Sequence, residues 1–213
     1  MTRIVALLAI TVALGCHHAQ PTTTPSTPGT TPNAGVATID GELVAVASQP
    51  GAAIKFKLRV DQTGRIVKES LYHNAVGTVP AEIRTKAEQR WAGGTIVRYE
   101  LERYSDHGRV HEVEVKTAEG VTCELAVKAD GTELYQECGL DVDKLPAAVA
   151  AKIAEIFPQG KVLEAETKRG PSTDELTVEV EAGGQEFYLR MSPDGTVLAK
   201  LVRIPAIFEV PVQ

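Results

Sequence analysis

The chain is poor in the residues that announce a chemistry. Its 213 residues include one tryptophan, two methionines, three cysteines and five histidines, and aromatics make up only 5%. No glycine-rich phosphate loop stands between a strand and a helix, and there is no Gly-x-Ser-x-Gly elbow, so those routes to nucleotide binding and acyl hydrolysis have no carrier. Ser70, Ser105 and Ser192 sit at strand ends or turns with no base nearby in sequence. Positive charge is also in deficit. The formal net charge is −6, which argues against nucleic acid and against an electrostatic grip on anionic lipid. The apolar run over residues 4–14 is far too short to span a bilayer.

That run reads instead as an export signal over residues 1–15, with Arg3 as its positive end. Ala13-Leu14-Gly15 puts small residues where a signal peptidase reads, so cleavage exposes Cys16. The same residues resemble a bacterial lipobox, although Ala13 stands where Leu is favoured. The resemblance implies acylation of Cys16; the alternative is plain secretion with a free terminal thiol. The residue after the cysteine is His17 rather than Asp, which in a Gram-negative host implies sorting to the outer membrane. Residues 16–37 are a Thr/Pro-rich tether with little to bury, best read as an extended, solvated spacer.

Beyond the tether the chain echoes itself. "VPAEIRTKAEQRW" (79–91) aligns on "LPAAVAAKIAEIF" (145–157), with Pro80 on Pro146. Proline suits a first helical turn, where its missing N–H is not needed. Ile83, Ala87 and Trp91 match Val149, Ile153 and Phe157, an i, i+4, i+8 stripe that marks one apolar helix face. After each helix the period changes to two, as in Leu176, Val178 and Val180 alternating with Thr177, Glu179 and Glu181. Four strands follow each helix, joined by turns rich in Gly and Asp. A partial copy lies upstream, where "FKLRVDQTGRIV" (56–67) lines up with "FYLRMSPDGTVL" (187–198). With "GELVAVAS" before it, this part reads as strands without a helix of its own. The expected fold is α+β: tandem helix-plus-four-stranded antiparallel sheet repeats, helices on one face, with an extra N-terminal hairpin. The expected divisions are a partial repeat over 38–78, a first repeat over 79–139 and a second over 140–213.

The carriers Val79-Pro80, Leu145-Pro146, the Asp130-Gly131 and Asp194-Gly195 turns, and the aromatic helix ends Trp91 and Phe157 resemble those of the PepSY-like fold. More narrowly, the chain is similar to the β-lactamase-inhibitor-like, PepSY-like group of exported bacterial proteins. The resemblance covers roughly residues 79–204. It implies no catalytic residues, and it implies binding or inhibition of envelope or secreted enzymes through the sheet face that helices leave uncovered. Fold likeness alone does not transfer that function.

Glu100, Glu102, Glu112, Glu114, Glu124, Glu179 and Glu181 could in principle pair as general acid and base. They alternate with Val and Leu along strands, so the expectation is a solvated sheet face without catalysis. His17 and His18 are adjacent on the tether, and His73 stands alone. His107 and His111 are four apart, which on a strand is a separation of about 13 Å, so no metal site is expected. Neither is a cofactor. For binding, Tyr188 and Arg190 point away from the helices if Phe187, Leu189 and Met191 point toward them. Tyr135, Tyr99 and Tyr104 join them as candidate anchors of an interface, against the plainer reading as surface tyrosines that support their cross-strand neighbours.

Export also brings an oxidising compartment, and with Cys16 acylated, Cys123 and Cys138 remain as an even pair. They flank one hairpin, "CELAVKADGTELYQEC". A two-residue Asp130-Gly131 turn puts them directly opposite, as a wider, hydrogen-bonded pair, and pairs Val127 with Leu134. A three-residue loop with a glycine bulge shifts the register by one and turns the two cysteines to opposite faces.

These readings converge on a lipid-anchored envelope protein, facing the periplasm from the outer membrane, that binds another envelope or secreted protein. It touches the membrane through its anchor only, and nucleic acid is excluded. A structural spacer without inhibitory action is the first rival, an enzyme the second. The anchor is tested by partition. The wild type should enter the detergent phase and Cys16→Ser should remain soluble, whereas equal partition of the two ends the anchor reading.

Overall fold

The computed structural model describes residues 38–48, 53–73 and 75–209. The leader, Cys16, His17, His18 and the tether lie outside them. The described residues all fall in one compact unit, Ala37–Gln213.

Among the described residues ten strands follow one another: β1 (Ala53–Val60), β2 (Ile66–His73), β3 (Thr95–Tyr104), β4 (Gly108–Lys116), β5 (Thr122–Lys128), β6 (Glu133–Gly139), β7 (Lys161–Gly170), β8 (Thr173–Ala182), β9 (Gln185–Met191) and β10 (Val197–Arg203). Three α-helices accompany them among the described residues: α1 (Gly41–Ala47), α2 (Ala81–Arg90) and α3 (Ala147–Ile156). Each strand pairs antiparallel with the next, so all ten form one sheet in chain order.

This corrects the expected architecture of tandem helix-plus-four-strand repeats with an added hairpin. Separate units would leave strand edges between them, each a row of unpaired N–H and C=O groups. The edges close on one another instead. β6 pairs with β7 from Gln136↔Arg169 to Gly139↔Glu166, and β2 pairs with β3 from Lys68↔Tyr104 to His73↔Tyr99. The outcome is a single antiparallel sheet with three short helices. "GELVAVA" is a second correction, being helical rather than extended. The Asp40 side chain accepts a hydrogen bond from the Glu42 amide at 2.8 Å, capping α1. Leu43 and Val46, one helical turn apart, pack against Leu71 and Leu101.

The sheet curls. Register shifts interrupt β3 between Ile96 and Arg98 and β7 between Val162 and Glu164, where an extra residue bends the strand. β1 and β10 are the two edges of the sheet, yet Arg59 on β1 lies 5.1 Å from the Tyr188 ring of β9. Phe208, beyond β10, meets Phe56 of β1 with ring centroids 5.5 Å apart. The sheet is therefore a half-barrel.

All three helices pack on the outer face of that curl. Ile83 and Ala87 of α2 contact Tyr99, Val113, Val115 and Leu125, with Trp91 at the margin. Val149 and Ile153 of α3 contact Val178, Val180, Leu189 and Met191. The β9–β10 turn runs tightly beneath α3. Gly195 has φ +88°, and a Cβ there would lie 2.7 Å from the Ala148 carbonyl oxygen.

The β5–β6 hairpin resolves the question of register in an unexpected way. The Lys128 amide donates to the Thr132 carbonyl and the Gly131 amide to the Lys128 carbonyl, both at 2.9 Å, which defines a three-residue loop with Gly131 at φ +84°. Alone, this loop would put the cysteines out of step. A second irregularity between Ala126 and Val127 admits Leu134 as an extra residue, and pairing resumes from Ala126↔Tyr135 to Cys123↔Cys138. The Val127–Leu134 pairing does not occur. Cys123 and Cys138 form a disulfide with Cα atoms 4.0 Å apart, the closer rather than the wider kind of antiparallel pair.

Leu189, fully buried under α3, and Leu163, exposed on β7, test this division of faces. By urea unfolding, Leu189→Ala should cost about 2–5 kcal/mol and Leu163→Ala less than about 0.5 kcal/mol. Equal costs would place the core on the wrong side.

Candidate functional site

Among the described residues, the inner face of the half-barrel carries no helix, and it encloses a cleft of about 960 Å³. Strand alternation places there the glutamates expected to be solvated. Glu100 and Glu112 are each 4% exposed and Glu102 is 0% exposed, because the curl folds the face onto itself, while Glu114, Glu124 and Glu179 are half-buried and Glu181 is exposed as expected.

Three groups of contacts hold these charges. At one side, Lys68 and Ser70 of β2 both reach the Glu102 carboxylate, the serine hydroxyl donating at 2.7 Å. Burial opposes both charges of this pair. Even so, the lysine holds Glu102 below the usual carboxylate range, and Glu102 raises Lys68 well above the usual amine value. At the floor, the Tyr135 hydroxyl donates to Glu112 Oε2 at 2.7 Å and accepts from Tyr104 at 3.0 Å. The Lys168 ammonium lies 3.1 Å from the Tyr135 ring centroid and 3.2 Å from Glu137. Near the mouth, Arg190 holds Glu175 through two hydrogen bonds of 2.7 Å, and Arg203 clamps Glu179.

Between these groups the carboxylates crowd. Glu100 lies opposite Glu112, and Glu124 opposite both Glu114 and Glu137. Arg98 alone reaches several of them: it pairs with Glu114, lies 3.3 Å from Glu124 and 3.9 Å from Glu100. Burial first, then mutual repulsion, pushes Glu100 and Glu124 well above the usual carboxylate range and raises Glu112. Glu166 is pushed up to about 8 by burial and by Glu137 and Glu164.

Of the five aromatic and arginine anchors expected from sequence, Tyr188, Arg190, Tyr135 and Tyr104 share this inner face. They are buried or half-buried within the curl rather than freely exposed. Tyr188 lies under Arg59 and Arg203. Tyr99 is on the opposite face, in the core under α2, its hydroxyl 2.6 Å from His111 Nδ1. Tyr99 and Tyr104 are five positions apart on one strand, and period-two alternation sends them to opposite faces. His111 and His107 share no site, since His107 stacks on Tyr104 and meets Asp106 at 2.7 Å. Sequence reading missed Lys57, Lys68, Arg98 and Lys168. Arg98 and Lys168 carried a signal, each two residues from a glutamate of its own strand, whereas β1 has no glutamate beside Lys57 and Glu69 of β2 has the opposite parity to Lys68.

No family model matches the chain, and no curated protein matches it. Among solved structures it is similar to a DUF2874 family protein from Bacteroides uniformis, with 14% identity over 58% of this chain and 89% of that one, at a TM-score of 0.48. It is also similar to a BLIP-like protein from Bacteroides fragilis, with 19% identity over 63% of this chain and 94% of that one, again at 0.48. Likeness at this level assigns no function.

The raised carboxylates have a consequence for stability. A glutamate whose folded-state pKa exceeds its unfolded value binds extra protons when folded, so its contribution falls as pH rises toward the folded pKa. For Glu166 that window runs from 4.5 to about 8. His111 is lowered from 6.5 by burial and by Arg109, and opposes the trend only below pH 6.5. The melting temperature should therefore be higher at pH 6.5 than at pH 8.5, and Glu166→Gln should narrow the difference. A melting temperature that is flat or rising over this range would contradict the assignment.

Proposed function

We propose that the protein is an exported module, anchored to the cell envelope through acylated Cys16, that binds another envelope or secreted protein in its half-barrel. One observation carries this reading: all three helices cover the outer face, leaving a charged, tyrosine-bearing inner face open along a cleft of about 960 Å³. At its mouth, Arg59, Arg203 and Tyr188 lie together, the residue types that most often anchor protein interfaces. The inner lining is polar throughout its centre, which suits a partner segment with charges of its own better than an apolar small molecule.

Converging carboxylates are also what a hydrolytic enzyme would use. Here Glu102, Glu112, Glu175 and Glu179 are each engaged by a lysine, tyrosine or arginine of the sheet, an arrangement that serves structure and recognition rather than turnover. Inhibition of a bound enzyme is the functional consequence implied by the motif resemblance. A spacer subunit would bind without it.

The test uses the soluble Cys16→Ser form as bait in envelope extract. Lys55→Glu with Arg59→Glu, at the cleft mouth, should reduce capture of the partner at least tenfold, while Glu88→Arg, exposed on α2, should leave it unchanged. Equal capture by all three forms would remove the cleft from the interface. Assay of a captured enzyme with and without the bait then separates inhibitor from spacer.

A further inference from the structure

The first two strands differ from the rest of the inner face. Period two turns Lys55, Lys57 and Arg59 of β1, with Lys68, Ser70 and Tyr72 of β2, into the cleft, so this wall carries cations and no carboxylate. The glutamates of the inner face begin on β3. Lys68 is answered by Glu102. The three cations of β1 are not: among the described residues none of them is in ion-pair contact with a carboxylate. Lys55 and Lys57 lie over the Tyr72 ring, Lys57 also donates to the Tyr72 hydroxyl, and Arg59 lies over the Tyr188 ring. Burial first, then Lys68, holds Lys57 below the usual amine value against the pull of Glu100, Glu112 and Glu102.

We propose that an extended acidic segment of the partner protein docks along β1, adding a strand to its free edge and setting alternate carboxylates beside Lys55, Lys57 and Arg59. The inference rests on the partner reading and names the chemistry the partner brings. Two features carry it. The first is lateral position, since a side chain on a sheet interacts with those directly across from it on the strand at either side. β2 sets Tyr72, Ser70 and Lys68 across from Lys55, Lys57 and Arg59, so none of these neighbours is acidic and one is a like charge. On the other side the sheet ends. The place beside each cation that a carboxylate can take is therefore on a further strand.

The second feature is the backbone. An edge strand presents a row of unpaired N–H and C=O groups. An added strand draws affinity from that row and specificity from its alternate side chains. Among the described residues no backbone hydrogen bond joins another segment to this edge of β1, and Phe208 of the C-terminal segment meets Phe56, which points to the outer face. Alternate residues of a strand are about 6.6–6.8 Å apart and neighbouring strands about 4.7–4.9 Å apart, so acids at every second residue stand beside one cation each. A basic segment would meet like charge, and an apolar one would strip water from three cations without replacing it. Glu100, Glu124 and Glu166, deeper in the curl, repel an acidic segment from the floor and keep it at the edge.

The test uses the soluble Cys16→Ser chain and fluorescein-labelled peptides, read by anisotropy at neutral pH. The peptide TEVETET, with acids at alternate residues, should bind. Its isomer EEETVTT, with the acids consecutive, should bind at least tenfold more weakly, and TKVKTKT should not bind. N-methylation of alternate amides of TEVETET should abolish binding in one of its two settings, because only one set of amides faces β1. Lys55→Gln with Arg59→Gln should weaken TEVETET at least tenfold, while Lys161→Gln, exposed on β7, should leave it unchanged. Should the double variant fold poorly, Lys55→Gln alone, at an exposed position, should weaken it at least threefold. The proposal is overturned if TEVETET does not bind, if EEETVTT binds as well, or if the variants bind as the unsubstituted chain does. It is also overturned by a dimer in sedimentation that TEVETET dissociates, which would make the occupant a second copy. A partner whose capture needs Lys55 and Arg59 but withstands saturating TEVETET overturns the acidic segment and leaves the partner reading intact. Binding of TEVETET by a chain that captures nothing from envelope extract supports the edge and counts against the partner reading.

Discussion

A sheet has two faces, and here the helices cover only one of them. The remaining face is dense in glutamate, lysine and arginine, and the curl of the sheet brings those charges out of bulk water and toward each other. Everything about the inner face follows from that constraint. Isolated ions cannot be buried at acceptable cost, so each must find an opposite charge, a hydroxyl or a proton. Lys68 with Glu102, Arg203 with Glu179 and Arg190 with Glu175 answer with pairs. Tyr135 answers for Glu112 with a donated hydrogen bond. At Glu100, Glu124 and Glu166, burial and neighbouring carboxylates raise the carboxyl groups above their usual range, so they hold protons more tightly.

The outer face obeys the opposite rule. Its side chains are mostly apolar, with Glu69 held by Arg103 and the Asp40 amide under α1, and it is stabilised by contact with three short helices that could not persist alone at their length. Those helices grip different parts of one sheet: α1 over β2 and β3, α2 over β3 to β5, and α3 over β7 to β9. Continuity between the parts comes from the backbone ladder, above all from β6 against β7. The disulfide closes the β5–β6 hairpin at that same junction, where a bulge at Leu134 restores the register the loop had displaced.

The two faces divide the work of the molecule. The outer one makes a stable scaffold, and the inner one presents a cleft whose chemistry is electrostatic and responsive to protons. A binding module built this way can distinguish partners by charge pattern, because a wrong juxtaposition inside a half-closed curl costs more than on an open surface.

Local features were legible in the residues themselves. Alternation in "DELTVEVE" told which side chains of β8 face the core, and Pro80 and Pro146 marked where α2 and α3 begin. The opposition of Leu189 to Tyr188 followed from period two. Several readings failed, two of them for want of distance information. The internal echo suggested separate repeats, since no pattern within 79–139 or 140–213 says that the last strand of one will pair with the first strand of the other. The glutamates of β3, β4 and β5 read as solvated, because alternation shows that a face is polar and not that the sheet will bend it inward. Sequence alone therefore determined most of the strands, the helices after the proline pairs and the alternation of faces along strands without bulges, all of which rest on steric and hydrophobic periods a few residues long. Only the tertiary structure decided that there is one sheet, that it curls, and that its polar face is buried, because those outcomes depend on pairings between residues far apart in the chain.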